Sequence, residues 1–124
     1  MKLPIIPVSL LAVGLMLAPT AHAELSLTAK VEISFLLGFV DGSGCQFNRN
    51  GTWYDSKAAQ EHLRDKYNYL KLRNLINTTE DFIVGAATES SLSGMQYAVR
   101  CNGGATVTSR RWLTDELARV RSLQ

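Results

Sequence analysis

The sequence has few of the residues from which metal sites and redox centres are built. It contains two cysteines and two histidines in 124 residues. It has no C-x-x-C redox motif, no G-x-S-x-G nucleophile elbow and no glycine-rich phosphate loop. The two cysteines and His62 do not complete a four-ligand zinc set at any familiar spacing. We therefore predict no metal, no cofactor and no catalytic residues, and we expect a protein that is not an enzyme.

An excess of charge of one sign is also lacking. The chain carries 13 Lys and Arg against 11 Asp and Glu, and it has no run of five like charges. A nucleic-acid-binding domain of this size would show a basic patch or stripe. Composition therefore predicts no nucleic-acid partner, and the absence of repeats or low-complexity segments indicates an ordinary folded domain.

The first 23 residues have the pattern of a secretory signal peptide. Lys2 supplies a positive start, an uncharged and mostly apolar run covers 5–17, and Ala21 and Ala23 are the small residues that a cut before Glu24 requires. We therefore predict that residues 1–23 are removed and that residues 24–124 form a single globular domain. This domain would be periplasmic or secreted by a bacterium, without a stable membrane anchor.

A retained anchor is the alternative to cleavage. No charge lies between Leu3 and Ala21, and that span is nearly long enough to cross a bilayer. We favour cleavage because Pro4, Pro7 and Pro19 interrupt the span and a small-residue site ends it.

The two cysteines predict one structural disulfide, Cys45–Cys101. In a chain exported to an oxidising compartment, two cysteines without a metal set or a redox motif are most simply a covalent bridge. The bridge places the two sequence regions next to each other, so we expect strands near these residues to share one small antiparallel sheet.

The spacing of apolar and turn residues predicts an α+β fold, mostly helical, with about four helices and a small antiparallel sheet. Asn50-Gly51 is the residue pair best suited to a type I′ turn and predicts a hairpin near 46–54. The remaining predicted elements are helices over 28–40, over 57–70, after a Thr78/Asp81 capping box and after a cap at Ser109, and a strand near 96–101.

The first predicted helix is apolar on two sides. One side carries the main core residues, and the opposite side carries Val31, Phe35 and Phe39 at four-residue spacing. Either both sides are covered within the domain, or the second side forms a groove for a partner or a homodimer face. The three residues are the candidate dimer face.

Five motifs follow one another along the predicted domain: S-G-C-x-F-x-R-N-G at 43–51, H-L-R-x-K-Y at 62–67, T-E-D-F-I at 79–83, S-S-x-S-G-x-x-Y-x-V-R-C at 90–101 and W-L-x-x-E-L at 112–117. With these motifs the chain resembles the YfeK-like family, which consists of short exported bacterial proteins with a domain of unknown function. The resemblance implies export and the fold, and it implies no activity. Two departures are Met95-Gln96, where a proline is expected before the tyrosine, and Tyr54, where a histidine is usual, so a role for a second histidine is not carried over.

The residue types that dominate binding hot spots cluster around the predicted sheet. Arg49, Trp53, Tyr54 and Arg100 combine aromatic area with cationic donors on strands that should be neighbours. The alternative is that the aromatic residues cover the sheet while the arginines face water. We predict a non-enzymatic periplasmic binding module for a protein or another envelope component.

Two other functions are alternatives. Ser93 and Tyr97 fit the short S-G-x-x-Y pattern of some lysozyme inhibitors, so the 93–97 turn could plug the cleft of an envelope hydrolase. A weak hydrolase would use His62 with one of the serines at 90, 91 and 93, but a lone histidine is more often a partly buried structural residue than a base.

Overall fold

The structure is a computed structural model that describes residues 3–4 and 25–124. Apart from residues 3 and 4, the predicted signal peptide and its cleavage site lie outside the described residues. Within the described part of the chain, no helix combines the length and apolar character needed to cross a bilayer. The elements in chain order are α1 (Leu27–Gly42), β1 (Gln46–Arg49), β2 (Thr52–Tyr54), α2 (Ser56–Leu72), α3 (Thr79–Ala86), β3 (Ala98–Arg100), β4 (Val107–Thr108) and α4 (Ser109–Arg121).

The four strands form one antiparallel sheet in the order β2-β1-β3-β4. The predicted hairpin is confirmed: Asn50 and Gly51 have φ angles of 52° and 81°, as a type I′ turn requires. β4 was not predicted, because two residues are too short to show an alternating pattern. The predicted α+β class, with four helices and a small antiparallel sheet, is confirmed.

Side-chain caps define where the helices begin. The Asp55 carboxylate accepts a hydrogen bond from the Ala58 amide at 2.8 Å, and the predicted Thr78/Asp81 capping box is present at α3. The predicted cap at Ser109 is wrong by one residue, because the Thr108 side chain accepts the amide of α4 instead. Ser109 is buried as the first helical residue, and its amide bonds to the Tyr97 carbonyl.

The core lies between the helices and one face of the sheet. α1 packs against all three other helices, and its Val40 is completely buried together with Phe82 of α3 and Val99 of β3. Full burial of a side chain of this size contributes about 1.5–3 kcal/mol relative to exposure. The predicted inner face of α1 is therefore part of the core.

The predicted disulfide between Cys45 and Cys101 is confirmed. The cysteines stand immediately before β1 and immediately after β3, and their Cα atoms are 4.3 Å apart. For a sequence separation of 56, the chain-entropy model gives a stabilisation of about 4 kcal/mol. The bridge also fixes β1 beside β3, which holds the hairpin against the strand that follows Tyr97.

The opposite side of α1 is divided between solvent and the domain itself. The exposed fractions are 62% for Val31 and 43% for Phe35. The ring of Phe39 instead stacks on Trp112 of α4 with a centroid distance of 4.4 Å, and Trp112 also meets Phe47 edge-on. Phe39 is therefore partly covered within its own chain, whereas Val31 and Phe35 leave an exposed apolar surface on α1.

A buried carboxylate links α1 to the two C-terminal helices. Glu32 is 6% exposed and accepts hydrogen bonds from Thr79 at 2.6 Å and from the Arg121 guanidinium at 2.9 Å. The Arg121 and Thr79 donors lower the pKa of Glu32 to about 2. Arg121 also pairs with Glu80, so one guanidinium joins α4 to α1 and α3.

Candidate functional site

The candidate binding residues on the strands lie on opposite faces of the sheet. Side chains alternate between faces along a strand, and the paired Phe47 and Val99 identify the face that is turned to the core. Arg49 and Tyr54 share that inner face at its open end. Trp53 and Arg100 share the outer face. The structure therefore separates the predicted cluster into two groups.

The outer group is a cation–aromatic pair. The guanidinium carbon of Arg100 lies 4.2 Å from the ring centroid of Trp53, and Arg100 donates a hydrogen bond to Gln46 at 2.7 Å. Trp53 keeps 36% of its surface exposed. This pair lies on the outer face of the sheet and leaves part of the Trp53 ring exposed to solvent.

The inner group centres on His62 of α2. Arg49 donates a hydrogen bond to His62 Nδ1, and His62 Nε2 lies 3.1 Å from the Tyr97 hydroxyl. A guanidinium can only donate, so Nδ1 must be the unprotonated nitrogen and Nε2 must carry the proton. His62 is therefore a neutral imidazole that donates to the oxygen of Tyr97.

Lys66 completes this group one helical turn after His62. Its ammonium donates to the Glu89 carbonyl at 2.7 Å and to the Tyr97 hydroxyl oxygen at 3.3 Å. Arg49 additionally lies over the ring of Tyr54, with 4.8 Å from the guanidinium carbon to the ring centroid. β1, α2 and the segment before β3 thus each contribute to one polar cluster.

The electrostatics of the cluster favour the neutral form of the histidine. Burial lowers the pKa of His62, and the charges of Arg49 and Lys66 lower it further, while Asp65 acts in the opposite direction. Burial also lowers the pKa of Lys66, although the Glu89 carboxylate opposes that shift.

Burial raises the pKa of Tyr97, and the charge of Arg49 opposes that shift. The site therefore holds two cations, a neutral imidazole and a neutral phenol at neutral pH.

These residues border an open cleft, which we call the His62 cleft. Its volume is about 290 Å³. A smaller apolar recess of about 40 Å³ adjoins it, beside Phe47, Ala59 and Leu63. None of the residues that line the His62 cleft is acidic. They are Arg49, Asn50, Thr52, Tyr54, His62, Lys66, Ser90, Ser91, Leu92 and Tyr97.

The 90–95 turn forms the rim of the His62 cleft. The turn is closed by a hydrogen bond from the Gly94 amide to the Ser90 carbonyl, and the Ser93 hydroxyl donates to Asn50 of the hairpin. Leu92, at the tip, is 94% exposed. Tyr97 is 6% exposed, so the two residues of the S-G-x-x-Y pattern are engaged within the domain.

The arrangement around His62 differs from that of a hydrolytic triad. In a triad a carboxylate accepts from one imidazole nitrogen and a serine or cysteine nucleophile meets the other. Here an arginine occupies the first position and a tyrosine the second. The Ser90 oxygen accepts from the amides of Leu92 and Ser93. Among residues 25–124, no group of three or more His, Cys, Asp or Glu side chains is placed to hold a metal ion.

Sequence reasoning missed part of this site. Arg49, Tyr54 and Tyr97 were candidates, whereas Lys66 was not. The only local signal was the spacing of His62 and Lys66, which puts both side chains on the same helix surface one turn apart. That spacing alone does not tell which strand residues approach the helix, so the cluster could not be assembled from it.

Comparison with known proteins gives a family and no function. No curated protein and no solved structure matches the chain. One family model matches residues 27–121, a range that extends from the start of α1 to the end of α4 and includes both cysteines and every residue that lines the His62 cleft. The chain therefore belongs to the family of unknown function DUF5329.

Proposed function

We propose that this protein is exported to the bacterial periplasm and binds an envelope component there without catalysis. Export rests on the signal-peptide pattern of residues 1–23 and on the resemblance to the YfeK-like family. The Cys45–Cys101 disulfide supports it, because such bridges persist in oxidising compartments and are rare in the cytosol.

The observation that carries the binding proposal is the convergence of donors on the His62 cleft. Arg49 and Lys66 reach the cleft from β1 and α2, and the ring of Tyr54 forms one of its walls. A concave site with a few convergent polar groups beside an apolar recess is the usual form of a ligand site. The disulfide and the packed core hold its walls, so a ligand would meet a site that is already formed.

The surroundings of His62 favour binding over hydrolysis. A general base works best when its pKa lies near the operating pH, and burial together with two neighbouring cations lowers the pKa of His62. Its unprotonated nitrogen is occupied by Arg49, and no serine hydroxyl is bonded to the imidazole in the part of the chain that the structure describes. A weak hydrolase is thus the less supported alternative.

The geometry also gives less support to an inhibitor that acts through the 93–97 turn. A plug must project its residues into the cleft of another protein, but Ser93 is bonded to Asn50 and Tyr97 is buried. The residues that do project from this turn are Leu92 and Met95, with exposed fractions of 94% and 50%.

A site-specific photo-cross-linker in the intact envelope tests the proposal. The reactive side chain would replace Leu92 at the rim of the cleft or, in a parallel strain, Trp53 on the outer face. We expect a component to be captured from position 92, and we expect that capture to fall at least tenfold when Arg49 is also changed to alanine, as loss of a charged hydrogen bond predicts (roughly 1.5–3 kcal/mol).

The control is Arg64→Ala, which removes the same charge from an exposed position of α2. Capture that is equal in the Arg49→Ala and Arg64→Ala strains would contradict a role for the cleft. Capture from position 53 alone would instead identify the outer Trp53–Arg100 surface as the binding surface.

A further inference from the structure

We propose that the His62 cleft binds the phosphate group of a small organic ligand and that His62 takes up one proton from solvent when the ligand enters. This inference rests on the proposed binding function and names the ligand class of the same site. It is carried by the hydrogen-bond arrangement around Tyr97 and by the absence of carboxylates among the side chains that line the cleft.

The hydroxyl of Tyr97 has a proton without an acceptor. Its oxygen accepts from His62 Nε2 and from Lys66 Nζ, which occupies both of its lone pairs. The hydroxyl proton must then point away from both groups, and no other residue among 25–124 is bonded to it. Because Tyr97 is 6% exposed and borders the cleft, a ligand that enters the cleft is the natural acceptor.

Arg49 likewise has N–H groups that are not used within the described part of the chain. Its one hydrogen bond there goes to His62, and none of the ion pairs found there includes it. A guanidinium presents a planar fork that fits two oxygens of one anionic group. Arg49, Lys66 and Tyr97 therefore offer donors from three directions, and no carboxylate lines the cleft to accept them.

A phosphate group fits this donor set better than a carboxylate. A phosphomonoester presents three strong acceptor oxygens and carries between one and two negative charges near neutral pH. A carboxylate has two oxygens in one plane and carries one charge, so it matches donors that arrive from three elements less well and balances only one of the two cations, Arg49 and Lys66.

The volume and walls of the site indicate an organic ligand rather than a free ion. The cleft of about 290 Å³ lies just below the usual range for small-molecule sites, about 300–1,000 Å³, and it is much larger than the space that a single water needs, about 30 Å³. Tyr54 and the recess beside Leu63 supply apolar surface next to the donors. A phosphate carried on a small apolar or aromatic group would occupy both regions.

Binding and protonation are coupled through Arg49. An anion in the cleft attracts the Arg49 guanidinium away from His62 Nδ1. That nitrogen is then free to take up a proton from solvent, keep it, and donate a hydrogen bond to the anion. The charged groups that act on His62 are Arg49 of β1 and Lys66 and Asp65 of α2, with the Glu89 carboxylate of the α3–β3 segment beside Lys66. The negative charge of the bound anion offsets the positive charges of Arg49 and Lys66, which favour the neutral imidazole, and it therefore raises the pKa of His62.

Titration calorimetry with simple anions tests the inference. The probes are sodium sulfate, whose charge is constant between pH 5 and pH 8, phenyl phosphate and sodium benzoate, each at an ionic strength matched with chloride. We expect phenyl phosphate to bind more tightly than benzoate. We expect sulfate to bind more tightly at pH 5 than at pH 8, by up to about tenfold for an upward shift of one pKa unit at His62.

The protonation of His62 can be followed directly by NMR, because it is the only histidine among residues 24–124. We expect saturating sulfate to raise the pKa of its imidazole. Arg49→Gln should abolish sulfate binding, whereas Arg64→Gln, an exposed change of equal charge, should leave it unchanged. If Arg49→Gln fails to fold, Tyr97→Phe provides the second test, because it removes the free hydroxyl proton and should weaken sulfate binding at least fivefold (about 1 kcal/mol).

The outcomes of these experiments distinguish a failure of the phosphate inference from a failure of the proposed binding function. Binding of benzoate without binding of sulfate or phenyl phosphate would overturn the phosphate assignment and leave the cleft as a binding site. Equal sulfate affinity at pH 5 and pH 8, with an unchanged pKa of His62, would overturn proton uptake. If no anion binds while the cross-linker at position 92 captures an Arg49-dependent component, the inference fails and the proposed function stands.

Discussion

Replacement of Glu32 by glutamine should destabilise the protein in a way that depends on pH. Glu32 is buried on α1, and its carboxylate binds Thr79 and Arg121. The glutamine keeps the size of the side chain and an oxygen that can accept a hydrogen bond, so the change removes mainly the negative charge. Of the two carboxylates that pair with Arg121, only the exposed Glu80 then remains.

The magnitude follows from the pKa of Glu32. A carboxyl group whose pKa falls from 4.5 to about 2 on folding contributes about 3 kcal/mol to the free energy of unfolding at pH 7. The side chain of Arg121 is 42% exposed, and solvent screening reduces the strength of such a pair. We therefore expect Glu32→Gln to lower the free energy of unfolding by about 2 kcal/mol at pH 7.

The sign of the pH dependence is fixed by the direction of the shift. Because the folded-state pKa is below the unfolded value, the contribution of Glu32 is complete above 4.5 and is lost as the pH falls towards about 2. At pH 3 less than about half of it should remain. The difference between wild type and Glu32→Gln isolates this effect from Asp81 and Glu80, whose pKa values are also lowered.

Urea denaturation at pH 7, 5, 4 and 3, followed by circular dichroism, measures both proteins. The control is Glu61→Gln on the exposed side of α2, which should change the free energy of unfolding by less than about 0.5 kcal/mol. The reasoning is refuted if Glu32→Gln is as stable as wild type at pH 7, or if the difference between them is the same at pH 7 and pH 3.

Two further predictions concern the covalent bridge and the exposed side of α1. Changing both Cys45 and Cys101 to serine should lower the free energy of unfolding by about 4 kcal/mol in urea denaturation. Wild type measured with a reductant should lose the same amount of stability. An unchanged urea midpoint in both measurements would contradict the stabilising role of the bridge. Phe39→Ala should lower the free energy of unfolding by about 2 kcal/mol because it removes the stack on Trp112, whereas Phe35→Ala should lower it by less than about 1 kcal/mol. Sedimentation of wild type and Phe35→Ala tests the candidate dimer face. If that face forms a dimer, the variant should show a lower association state than wild type.

The elements with strong local signals could be predicted. The Asn50-Gly51 turn needs positive φ angles at both residues, and few other residue pairs adopt them readily. These two residues were therefore enough to predict the hairpin. The capping box of Thr78 and Asp81 was equally local, because its two hydrogen bonds connect residues three positions apart. The cap of α4 was misplaced by one residue because Thr108 and Ser109 are both good capping residues.

Burial along α1 was predicted only in part. Periodicity reported which positions share a side of the helix, and the side with Ile33, Leu36 and Val40 is indeed buried. It could not tell that Glu32 is buried beside them, because a charge enters a core only when a partner such as Arg121 arrives from elsewhere. Periodicity also could not tell that Phe39 is partly covered by Trp112 while Phe35, on the same side of the helix, is exposed.

The disulfide gave one long-range restraint, and that restraint was correct because the chain holds only two cysteines. The sequence by itself thus determined the α+β class, the hairpin, the helix starts to within one residue and the pairing of the sulfurs, since each depends on local backbone preference or on simple counting. The tertiary structure alone decided that Arg49, His62, Lys66 and Tyr97 meet at one cleft while Trp53 and Arg100 lie on the other face of the sheet. Such meetings depend on how a strand and a helix pack together, and packing is set by the whole core rather than by the residues that meet.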